Sequence, residues 1–140
     1  MPNATPDAPA LRGAFDEQDA EAPLVDRRVL AFRRAALVSA MENCGRVLGD
    51  MPPGAVLSAE PQPDRHQIRF VVQQDGTPLV RCVGGSRLAA LLIAWCGLVR
   101  IPLPARAAKR IVVDEAGALL TFTTTLRRVP RVFHHDLRGR

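Results

Sequence analysis

The chain has 140 residues, 47% of them hydrophobic and 24% charged, enough for one domain with a real core plus tails. Its three cysteines, Cys44, Cys82 and Cys96, are odd in number and widely spaced in apolar segments, which excludes a disulfide framework or a zinc pattern. The net charge of +5 is split: residues 1–26 carry Asp7, Asp16, Glu17, Asp19, Glu21 and Asp26 against Arg12 alone, and the remaining chain is strongly basic.

All but one of the 19 bases are arginine, Lys109 being the exception. Much Arg, Ala and Pro with almost no Lys is the usual print of a GC-rich bacterial genome. That bias accounts for arginine over lysine, but not for the excess of bases over acids. The acidic, Pro-rich start lacks the basic and apolar regions of a signal peptide, so the expected location is the cytoplasm, with reduced thiols.

Residues 1–24 have the composition of a disordered acidic tail, in which Leu11 and Phe15 stand at i and i+4. The domain is expected over residues 25–128. Asp26 is the natural N-cap of a helix running to about Leu48, with Leu30, Leu37, Met41, Cys44 and Leu48 on one face. Gly49 and the Asp50–Gly54 stretch stop it. A short strand is expected at Ala55–Glu60. A clearer one runs from His66 to Gln74, where Ile68, Phe70 and Val72 alternate with Gln67, Arg69 and Gln73. Asp75-Gly76 signals a hairpin, and Thr77–Val83 is the return strand.

Ser86–Val99 is the longest apolar run and reads as the central helix. Ser86 suits the N-cap and Gly97 the C′ position. Leu88, Leu91, Leu92, Trp95 and Val99 form one stripe. Ala89, Ala90, Ile93, Ala94 and Cys96 occupy the other side, which carries no charge, so burial on both sides is expected. The run is too short to span a bilayer, which needs about 20 residues. The small-residue side, Ala90, Ala94 and Gly97, allows close approach of the first helix or of a second copy. After a Pro- and Arg-rich loop, Lys109–Asp114 and Ala118–Arg128 form a second hairpin around Asp114–Gly117, a type I turn. Leu120, Phe122 and Leu126 face one way and Thr121, Thr123 and Thr125 the other. Residues 129–140 form a basic tail.

The expected fold is α+β: an antiparallel sheet of four to five strands, made of two hairpins, with two helices packed on one face, in the order α-(β)-β-β-α-β-β. In order of elements alone this is similar to double-stranded-RNA-binding domains, type III secretion chaperones and roadblock-type dimerisation domains. None of their motifs is present, and a fold-level likeness does not license a function.

Two sets of residues are candidates for binding. Gly85, Ser86 and Arg87 open the central helix, where free amides beside an arginine make an anion site; the spacing is not that of a Walker motif. Arg106, Lys109, Arg110, Arg127, Arg128, Arg131, Arg138 and Arg140 form an Arg-rich C-terminal surface suited to a phosphate backbone. His134-His135 is a poor metal pair, because adjacent positions do not face one another, and no metal or cofactor is expected. A Cys82–His66 catalytic pair can be drawn across the hairpin, but a cysteine among valines acts as a small hydrophobe. The composite reading is a non-enzymatic binding protein engaging an acidic macromolecule, nucleic acid first, through the Arg-rich surface. A protein-interaction or chaperone-like adaptor acting as a homodimer is the alternative. A small enzyme using the Gly84–Arg87 turn is the third. No membrane partner is expected.

Overall fold

The domain opens on a strand where a helix is expected. The computed structural model describes residues 22–49 and 54–126. Strand β1 (Leu24–Arg33) precedes helix α1 (Arg34–Cys44) and a 3-10 turn, Gly45–Leu48. Strand β2 (Ala55–Gln62), a second 3-10 turn (Pro63–Arg65), β3 (Gln67–Gln74) and β4 (Thr77–Gly84) follow. Helix α2 (Gly85–Leu98), β5 (Ala108–Asp114) and β6 (Gly117–Leu126) complete the order.

The fold is α+β with two helices, but the sheet is not single. Six strands form two antiparallel three-stranded sheets, β1-β6-β5 and β2-β3-β4. The first helix was expected from Asp26; instead Asp26 lies inside β1, opposite Thr124. The reason is non-local. β1 pairs with β6 along its whole length, from Leu24 opposite Leu126 to Arg33 opposite Gly117. β6 is rich in threonine, which favours strands, and as the central strand of its sheet it pairs on both sides. Leu30 shares helical spacing with Leu37 and Met41 but belongs to the strand. α1 keeps Leu37, Ala40 and Met41 buried.

The first hairpin forms as its Asp-Gly pair dictates. Asp75 and Gly76 have φ of 53° and 78°, the two positive angles of a type I′ turn. In the second, the Asp114 carboxylate accepts bonds from the amides of Ala116 and Gly117, both at 2.9 Å. Asn and Asp close turns in this way.

The inner faces of both sheets and the facing sides of both helices make one core. Ile68, Phe70, Leu88, Leu91, Leu92 and Leu120 are wholly buried in it. α2 turns Leu88, Leu91 and Leu92 of the expected stripe inward, but Trp95 is only half-buried, Val99 is exposed, and Cys96 from the expected opposite side is buried with the leucines. Its ends differ from expectation. Ser86 makes no capping bond; Gly84 holds the N-cap position and Gly85, at φ 57°, begins the helix. Gly97 is helical. Arg100, at φ 63°, takes the left-handed C′ role, with Ile101 N–H bonded to the Cys96 carbonyl at 2.8 Å. This is the Schellman closure, made here without glycine. Nor is α2 buried on both sides, since Ala90 and Leu98 are exposed and Ala89, Ile93 and Ala94 only half-buried.

Candidate functional site

The half-exposed side of α2 faces β5. Gly85, Ser86, Ala89, Ala90 and Ile93 lie along one helical face, at successive turns. Across from them run Lys109, Arg110 and Ile111 of β5, and between the two lies a groove of about 460 Å³. Its floor is largely Ala and Ile, and Lys109 and Arg110 are its charged lining residues; among the described residues no acid lines it. The loop joining α2 to β5 is tied back by Arg28, whose guanidinium donates to the Pro102 carbonyl at 2.5 Å.

This groove joins residues from both sequence-level sets. Gly85 and Ser86 from the anion set meet Lys109 and Arg110 from the basic set. Arg87 sits beside them in the first turn of α2, exposed and already engaged in an interaction, and does not line the groove. Arg106 lies exposed in the turn just before β5. Arg127, Arg128, Arg131, Arg138 and Arg140 fall outside the described residues, as do His134 and His135.

The apolar floor belongs to neither set of candidate residues. Its signal was present in the uncharged small side of α2, with Ala90 at the centre. Of the small residues Ala90, Ala94 and Gly97, Ala90 lines the groove opposite β5.

Other clusters are engaged elsewhere. Cys82 is exposed and stands opposite Arg69, while Gly84 pairs with Gln67, so His66 lies just past the end of that ladder. Cys96 is wholly buried; burial raises its thiol pKa and nearby Arg28 partly offsets this. Burial raises Cys44 in the same direction. A cavity of about 300 Å³ at the β5–β6 turn contains Arg33 and Asp114, but the Asp114 carboxylate is occupied in closing the turn. Among the described residues no three His, Cys, Asp or Glu gather in a way that holds a metal ion. None of the described helices is long and apolar enough to cross a membrane.

The chain matches no protein-family model, no curated protein and no solved structure.

Proposed function

We propose that this chain is a binding protein for an acidic partner, engaged at the groove between α2 and β5. The observation that supports the reading is the meeting of Lys109 and Arg110 with the Gly85–Ser86 start of α2 around one groove without acidic lining residues. The first amides of a helix carry partial positive charge, and two cations across from them add to the same field. An acidic polypeptide suits this groove better than nucleic acid. Its floor is Ala89, Ala90, Ile93 and Ile111, with no aromatic ring on which a base would stack. An acidic chain with apolar side chains satisfies both floor and rim.

The test is a titration of polyglutamate and of duplex DNA, read by fluorescence anisotropy at low and high salt. Lys109 and Arg110 are exposed, so Lys109→Glu with Arg110→Glu leaves the core intact. The double variant is expected to lose polyglutamate affinity on the order of tenfold at low salt, as charge pairs at an interface do. Unchanged polyglutamate affinity would remove the groove from the reading. Tight DNA binding sensitive to the same pair would return nucleic acid to first place.

A further inference from the structure

The groove is bordered by an edge strand as well as by a helix. β5 is terminal in its sheet and pairs with β6 alone among the described residues. Backbone bonds outside the helices and ladders lie at residues 46–49, 63–66 and 95–101, and none of them is made by β5. On the free side of an edge strand, alternate residues direct both N–H and C=O outward, which is a template for another strand. β2 and the turn after it also approach β5. The stretch Lys109–Ile111 is the part that borders the groove. On the helix side, Gly85, Ser86, Ala89 and Ala90 are small, so a backbone can lie close to α2.

We propose that the groove accepts an extended acidic polypeptide segment, which pairs as an added strand with the edge of β5 and lays alternate apolar side chains on Ala89, Ala90 and Ile93. This deepens the acidic-partner reading and rests on it. Charge selects the occupant. A second copy docking edge to edge would set Lys109 and Arg110 against the same cations of its twin, and like charges opposed across strands repel. The chain's own residues 127–140, with five arginines and one aspartate, carry the wrong sign. An acidic strand has backbone groups for the β5 edge and carboxylates for whichever of Lys109 and Arg110 shares their face, the two pointing to opposite faces of the strand.

The experiment uses the full chain, labelled with ¹⁵N, and a synthetic peptide of alternating glutamate and valine. A second peptide of the same sequence carries N-methyl groups on alternate residues. This keeps charge and side chains and removes the amide donors. The expected result is shift changes at Lys109–Ile111 and Gly85–Ile93, with binding at least tenfold weaker for the N-methylated peptide. Ala90→Trp, at an exposed position that fills the groove, should weaken the plain peptide similarly without lowering the unfolding midpoint. Equal binding of the two peptides overturns strand addition and leaves the acidic-partner reading standing. Absence of peptide binding, with polyglutamate still bound through Lys109 and Arg110, does the same. If neither peptide nor polyglutamate binds, both fall together.

Discussion

The indole of Trp95 on α2 donates to the hydroxyl of Ser39 on α1 at 3.1 Å, across the contact between the two helices. The Asn43 amide also reaches that hydroxyl, at 3.3 Å, and donates to the Ser39 carbonyl at 2.8 Å. On its other side the Trp95 ring meets Phe32 of β1 edge-on, with centroids 6.1 Å apart and planes at 69°. One indole therefore ties α2 to both α1 and β1. Ser39→Ala removes the acceptor and leaves a partly buried N–H without it, at an expected cost of about 1–2 kcal/mol. For a domain of this size that lowers the unfolding midpoint by roughly 4–8 °C per kcal/mol. The chain has one tryptophan, so its emission reports on this contact alone. Ser39→Thr keeps an oxygen in place and should retain most of the stability. An unchanged midpoint in Ser39→Ala would show that the bond carries no weight.

Gly117 closes the second hairpin directly against β1. A Cβ built there collides with the Phe32 carbonyl, and backbone cannot swing aside as a side chain would. Gly117→Ala should destabilise by about 2–3 kcal/mol, in the range of overpacking. Gly76 is the matched control. It turns at φ 78° with nothing within 4 Å of its Cβ position, so Gly76→Ala meets only the left-handed penalty of about 1–2 kcal/mol. Denaturant midpoints for the two variants decide the matter: equal losses would mean that the Phe32 approach is relaxed without cost.

These residues also show how far the amino-acid order reveals the fold. Asp75-Gly76 and Asp114–Gly117 are turn chemistry within four residues, and both hairpins were legible from them. Leu88, Leu91 and Leu92 follow helical period and lie buried, while Trp95 and Val99 of the same stripe are half-buried and exposed, because the helix ends at Leu98. β1 was not legible, because Val25 to Arg33 becomes a strand by pairing with β6, far along the chain. Leu30, Leu37 and Met41 lie at helical spacing by coincidence, and nothing local separates the first from the others. The split into two sheets is hidden for the same reason: strand content is local and strand order is not. Half the candidate site was legible in charge and glycine, through Lys109, Arg110, Gly85 and Ser86. That they share a groove depends on β5 lying beside α2, which no spacing in the chain encodes.

Stability should fall on the alkaline side, through the buried Cys96 thiol and the half-buried Cys44. Burial raises the folded-state pKa of Cys96, with Cys44 shifted the same way. An unfolded thiol loses its proton near about 8.5. Above that pH the unfolded chain binds fewer protons than the native one, so stability declines as pH rises. The contribution is fully present below the unfolded value and is lost as pH passes through the raised folded value. With no tyrosine and a single lysine, few side chains compete in this window. Cys96→Ala should be less stable at neutral pH by about 1 kcal/mol, as a small core deletion is. Its unfolding midpoint should nevertheless drop less between neutral and alkaline pH than that of the parent. Parallel curves for the two proteins would exclude the buried thiol as the cause.

The two ends of the described fold leave it as neighbours, since Leu24 pairs with Leu126. Residues 1–21 carry five acids and one base, and residues 127–140 five arginines and one aspartate. Ala108, the start of β5, pairs with Thr123 only a few residues from that end, so Lys109 and Arg110 lie at the same side of the sheet. An acidic segment tethered there is expected to compete with an acidic partner at a high effective concentration. Asp26 must be left in place, because it is part of β1; the informative deletion therefore ends at residue 21. Removing residues 1–21 should tighten polyglutamate binding on the order of tenfold at low salt. The gain should disappear near 1 M salt, where the screening length is about 3 Å. Adding the peptide 1–21 back in trans should reverse it only at concentrations well above that of the protein, because the tether is what makes the competition strong. Equal affinity for the full and shortened chains at low salt would show that the acidic segment does not compete for this surface.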